Sequence, residues 1–141
     1  AGLVAITPCA GYVGGMAPII IGLVAGGVCF LALKIKSAFK LDDSLDVIAV
    51  HLVGGLLGSV LLGFFADTTV NPLGFDGVFF GGGGELLWNQ VRACAIVLAF
   101  SFVVSFAIAY GIHKTIGLRV SQEDEQVGLD QSQHAETAYQ S

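Results

Sequence analysis

Residues 47–66 contain no Asp, Glu, Lys or Arg, and neither do residues 17–33 or 93–112. An α-helix needs about 20 apolar residues to cross a hydrocarbon core of roughly 30 Å. In lipid only helices and closed barrels satisfy every backbone N–H and C=O. The runs lack the period-2 alternation of a membrane barrel strand, so helices remain. The expected fold is an all-α polytopic helix bundle in a membrane. Composition agrees: 12% of the residues are charged, against about 25% in a soluble domain, and the mean hydropathy is +0.81.

The expected boundaries are full spans at 17–35, 46–66 and 91–113, with residues 1–13 the end of a further span interrupted by Pro8. Gly14 and Gly15 form a tight connection. Residues 1–116 then make a transmembrane bundle and 117–141 a polar tail. The chain opens on Ala1 inside an apolar stretch and its only methionine is Met16, so it reads as the C-terminal piece of a longer protein.

Charge sets the expected orientation. Lys34, Lys36 and Lys40 lie between the first two spans, and Lys114 and Arg119 follow the third. Residues 67–89 carry Asp67, Asp76 and Glu85 but no Lys or Arg; Arg92 alone breaks the pattern. The positive-inside rule puts the lysine loop and the C-terminus in the cytoplasm of a multi-pass membrane protein, for which the cell (plasma) membrane is the expected location. Trp88 fits an interfacial anchor at the start of the third span. The net charge of −5, carried largely by Glu123, Asp124, Glu125, Asp130 and Glu136, speaks against a nucleic-acid partner.

Several motifs read as structure. Cys9, Cys29 and Cys94 are an odd number without CxxC spacing and behave as small buried hydrophobes. The run Gly81–Gly84 lacks the Lys and Ser/Thr of a phosphate-binding loop and reads as a flexible connection. Small residues recur at i, i+4: Gly22 with Gly26, Gly54 with Gly58, and Ser101, Ser105 and Ala109. Such lines let helices approach closely in lipid.

His51 is the residue that points to chemistry. It stands inside the uncharged run 47–66, and an ionisable group in a span usually faces the protein interior and marks a pathway. On an ideal helix Val47, His51, Gly54, Gly55, Gly58 and Leu62 share one broad face, with Ser59 and Gly63 on an adjacent line. A structural imidazole bonded to a neighbouring helix is one reading. A haem ligand is a poor one, because His113 lies at the far end of its span. The functional reading is a narrow apolar conduit. An imidazole can give or take a proton, whereas desolvating a full cation there costs tens of kcal/mol by Born estimate. Such a conduit suits a small neutral solute or a cation that can lose its proton. Asp42, Asp43 and Asp46 precede the span. They can cap its free N–H groups or form a cation-attracting vestibule.

These residues resemble a known family. The stretch from Gly2 through Thr7-Pro8-Cys9-Ala10-Gly11 to Val13 resembles the eighth span of the ammonium transporter (Amt/MEP/Rh) family. Asp42-Asp43-Ser44-Leu45-Asp46, then His51 and Gly54-Gly55, resembles the start of its tenth. Gly117-Leu118-Arg119-Val120-Ser121, Gly128-Leu129-Asp130 and then His134, Glu136, Ala138 and Tyr139 resemble its cytoplasmic tail, of the Amt type. The resemblance implies an eleven-span fold, a homotrimer, and transport of ammonium or ammonia through a histidine-lined apolar pore. It implies no enzyme and no cofactor. By resemblance His51 is the second pore histidine and Val47 its pore-lining neighbour. Gly128, Asp130, His134 and Tyr139 belong to a regulatory tail that faces cytoplasmic regulators such as PII-type proteins. An Rh-like conduit for neutral gas and a non-transporting membrane sensor or anchor are the alternatives. Two positions depart from the family: Leu52 stands where Gly is usual, which would tighten local packing, and Ala135 replaces the Gly after the tail histidine, at a turn.

Overall fold

A computed structural model describes residues 1–138. It divides into two compact units, Ala1–Val97 and Leu98–Ser141.

The first unit starts with α1, Gly2–Ile6, which tightens into a 3-10 turn at Thr7–Cys9. Pro8 sits at the start of that turn, where a missing N–H costs nothing. Gly11 and Gly15, at φ +80° and +56°, reverse the chain. Next comes α2, Ala17–Ala38. The third helical stretch opens with π-helical residues, Ile48–Val53, and continues without a break into α3, Gly54–Phe65. Then α4, Glu85–Thr115, crosses into the second unit. Among the described residues three helices, Ala17–Ala38, Ile48–Phe65 and Glu85–Thr115, are long and apolar enough to span a membrane.

The packing of α1, α2 and α3 rests on small residues. On α2 the buried line is Ala17, Ile21, Ala25 and Cys29, every fourth residue and so one face. Ala5, Cys9, Ile21 and Ala25 form the core, with Leu57, Leu61, Leu62 and Phe65 packed against it. Gly58 lies so close to α1 that a Cβ there would overlap the Ala5 carbonyl. The Cys9 thiol donates to the Gly58 carbonyl at 3.4 Å. A Cβ at Gly54 would meet the Cys29 Sγ at 3.4 Å. The Gly22–Gly26 line, expected to pack, faces open space instead. Large apolar side chains such as Leu23, Phe30 and Leu31 point outward, which costs nothing in lipid or against further helices.

The loop between α3 and α4 is more structured than its composition suggests. Val78–Phe80 forms a 3-10 turn, and Phe79 packs on Phe64 and Phe65 with ring centroids 5.5 and 5.0 Å away. The Asp76 carboxylate accepts from the Thr68 N–H at 2.7 Å, and the Gly77 N–H donates to the Ala66 carbonyl at 2.8 Å. In the glycine run, read above as flexible, Gly81 and Gly83 take φ +90° and +64°. A Cβ at Gly82 would overlap the Asp76 carbonyl. Only glycine meets both demands. The sharp turn starts α4 at Glu85, so Trp88 stands within the helix and not ahead of it.

In the second unit, Phe102, Phe106 and Tyr110 stack along α4 at centroid spacings of 6.2 and 6.1 Å, and Lys114 lies over the Tyr110 ring. The tail is helical: α5 at Gln122–Val127 and α6 at Leu129–Ser132. Ser121 caps α5, accepting from the Asp124 N–H at 3.1 Å and donating to its carboxylate at 2.8 Å. Arg119 reaches Glu125 at 2.7 Å.

Candidate functional site

The third helix starts on two carboxylates. Asp43 accepts from the N–H groups of Val47 at 2.9 Å and Ile48 at 2.8 Å. These belong to a first turn that has no acceptor within the helix. The Ile48 bond above all, then that from Val47 and the charge of Lys36, holds the Asp43 carboxyl below its ordinary value. Asp46 takes φ +59°, a left-handed conformation that Asp tolerates better than most residues. Its carboxylate pairs with the Lys36 ammonium, which also donates to the Asp43 carbonyl. Both Asp43 and Asp46 thus have structural partners, and Asp42 is exposed.

His51 lies within the π-helical turn Ile48–Val53. This turn was not legible in the sequence, and it changes which residues His51 stands with. A π turn holds more residues than an α turn, so each step rotates by about 85° where an α step rotates by 100°. Over the steps from His51 to Gly54 the lag reaches roughly 45°. His51 therefore lines up with Gly55 and Ser59, and not with Gly54 and Gly58 as an ideal helix would have it. Gly54 and Gly58 are buried against α1 and α2, and Gly63 against Leu87 of α4.

His51, Gly55 and Ser59 form one side of an open groove of about 560 Å³; Val4, Thr7 and Pro8 form the other. His51 is exposed there, and its imidazole makes no hydrogen bond among the described residues. The Thr7 hydroxyl donates to the Leu3 carbonyl at 2.7 Å, which leaves its lone pairs toward other donors. Ser59 adds a second hydroxyl, and the remaining lining, Val4, Pro8 and Gly55, is apolar and carries no formal charge. Val47 is 47% exposed and is not part of this lining. Leu52, expected to tighten packing, is 41% exposed. Thr7, Pro8 and Ser59 are site residues that sequence reasoning missed. The 51–55–59 spacing could have indicated Ser59, but nothing in the sequence brings Thr7 and Pro8 opposite it.

In the tail, Gly128 takes φ +105° and separates α5 from α6. The Asp130 carboxylate accepts from the Ala138 N–H at 3.0 Å. That bond, neighbouring amides and the charge of His134 hold the Asp130 carboxyl below its ordinary value. Gly128, Asp130 and His134 thus belong to one local turn, and Tyr139 lies outside the described residues. Ala135 adopts φ +53°, a left-handed conformation where a glycine would be free of steric cost.

Comparison with known proteins gives a consistent result. The model of the Ammonium Transporter Family matches residues 1–139. An ammonium transporter of Bacillus subtilis is 45% identical over 141 residues, covering 99% of this chain and 35% of that protein. The ammonium transporter Amt1 of Archaeoglobus fulgidus is 48% identical over 139 residues, with the same coverage of 99% and 35%. One from Mycobacterium tuberculosis is 40% identical over 144 residues, covering 99% and 30%. The chain thus spans about a third of the length of the curated relatives it matches.

Proposed function

The chain belongs to the ammonium transporter family, and on that premise we propose that the His51 groove is part of the wall of an ammonium- or ammonia-conducting pore. The observation that carries this reading is the imidazole of His51, without a hydrogen-bond partner among the described residues, on an otherwise uncharged groove within a span. Spans from the rest of a full-length transporter would close the groove's open side. In such a pore the apolar lining rejects hydrated cations, because their desolvation is not repaid. The imidazole offers the one group able to share a proton with ammonium. The pore moves its substrate by conduction and performs no covalent chemistry.

The same reading places this chain at the C-terminal end of an eleven-span Amt-type subunit, in a homotrimer of the plasma membrane. The order of its motifs and the tail sequence support that placement. The lysines between the first two spans support a cytoplasmic tail, and its acidic, hydrogen-bonded turns offer a surface for a cytoplasmic regulator of the PII type.

The test is His51→Ala in the full-length transporter. Uptake of labelled methylammonium should fall at least about tenfold, or ion selectivity should change, at an unchanged amount of protein in the membrane. Wild-type uptake with wild-type selectivity would remove the pore reading. Current that scales with ammonium would favour ammonium over an Rh-like conduit for neutral gas.

A further inference from the structure

We propose that Lys36 and Asp46 are positioning residues for His51: their ion pair fixes where the third helix starts, and so maintains the π turn that aims the imidazole into the groove. The proposal rests on the pore reading for its functional consequence, but its structural core stands on separate observations.

The segment that carries His51 is held at both ends. Downstream, Gly54 packs against Cys29 of α2, and Gly58 is seated against α1 with no room for a Cβ. That close fit fixes the rotation of α3 about its own axis. Upstream, the Lys36 side chain, only 13% exposed, reaches from the last turns of α2 to the Asp46 carboxylate and the Asp43 carbonyl. Asp43 in turn holds the Val47 and Ile48 N–H groups. Asp46 keeps its left-handed φ of +59° beside this pair. The chain between the two anchors must join fixed ends with a fixed number of residues, and it does so by widening one turn. That widened turn is Ile48–Val53.

A π turn is rarer than the α-helix that competes with it; it is found mostly as a single turn inside an α-helix, frequently at a functional site. Here the two anchors supply what keeps it. Releasing the upstream one lets the segment relax toward α-helical geometry. His51 then rotates by roughly 45°, away from the Gly55–Ser59 line and toward the packed Gly54–Gly58 face. Lys36 and Asp46 do not line the groove, so they act through the orientation of His51 alone.

The experiment uses Asp46→Asn in the full-length transporter. Asn tolerates the left-handed conformation as well as Asp does, so the change removes charge and little else. The maximal rate of methylammonium uptake should fall at least about tenfold while KM changes less than about twofold. Lys36→Arg, which keeps the pair, should transport like wild type. In parallel, His51→Cys in a background lacking Cys9, Cys29 and Cys94 should react with a small permeant thiol reagent. Adding Asp46→Asn should slow that reaction at least about fivefold. Should Asp46→Asn fail to reach the membrane, Lys36→Gln reads the same pair from its other partner. Unchanged reactivity at position 51 together with a wild-type rate overturns the proposal. If His51→Ala itself transports normally, the pore reading falls, and the cysteine reaction still decides whether the pair orients the residue.

Discussion

At the residue scale, Gly58 and Asp43 show how two side chains, one absent and one charged, set the geometry around His51. Gly58 is a close approach of backbones: α3 touches the Ala5 carbonyl where any Cβ would collide. Gly58→Ala should destabilise the full-length transporter by about 1–3 kcal/mol, the usual cost of overpacking. A lowered thermal midpoint in detergent, followed by fluorescence, would register it. Asp43 gives a pH dependence of known sign. Its folded-state carboxyl is depressed from the ordinary 3.8, chiefly by the Ile48 N–H. The stabilisation is therefore present above that ordinary value and is lost as the pH falls through the lower folded one. Asp43→Asn should remove this acid-side loss. The difference in thermal midpoint between wild type and variant should be largest near neutral pH and should shrink below about pH 4.

At the element scale, the tail illustrates a turn built on glycine and one built without it. Gly128 ends α5 at φ +105°, and a Cβ there would meet the Asp130 Oδ1 at 2.6 Å. Gly128→Asp adds that overlap, backbone strain and a like charge beside Asp130. Hydrogen exchange of α5 and α6 should speed up while the spans stay protected. If the tail regulates transport, uptake should fall as well, and full uptake with a loosened tail would remove that role. Ala135 is the converse case, a side chain held at φ +53°. A left-handed residue costs roughly 1–2 kcal/mol, and glycine returns about 0.5–1 kcal/mol of that as chain entropy. Ala135→Gly should thus slow exchange at Glu136 and Ala138 modestly. Slower exchange is the outcome that supports the strain argument, and faster exchange contradicts it.

At the scale of the whole molecule, orientation is the property that the charges argue and a labelling experiment decides. Lys34, Lys36 and Lys40 mark one end of the spans, and the 67–89 loop, without Lys or Arg, marks the other. Cysteines at Ser37 and Ser132, in a cysteine-free full-length transporter, should resist an impermeant thiol reagent in intact cells. One at Thr69 should react. The reverse pattern would invert the topology. The α4 helix also bears on how the molecule meets its membrane. Its 31 residues extend about 46 Å, well beyond a hydrocarbon core of about 30 Å. It must therefore tilt or project, and the stacked Phe102, Phe106 and Tyr110 run along its C-terminal half.

Periodicity and charge were enough to determine that three uncharged runs are helices that can span a membrane. The reason is local: in lipid the backbone has no other way to satisfy itself within one segment. The same reasoning singled out His51, because an ionisable group in a span is conspicuous without any structure. That a carboxylate before the span could cap its orphan N–H groups was legible too, but only the structure assigns the cap to Asp43 and not to Asp46. What the sequence could not decide was which of the small-residue lines would pack. Gly54 and Gly58 are buried while Gly22 and Gly26 face open space, though both pairs have the same spacing. Nor could it place Thr7 and Pro8 across from His51. The π turn at Ile48–Val53 was hidden for the same reason. It follows from two anchors distant in sequence, Lys36 on α2 and the Ala5 carbonyl on α1, and only the assembled helices bring both to bear on the segment between.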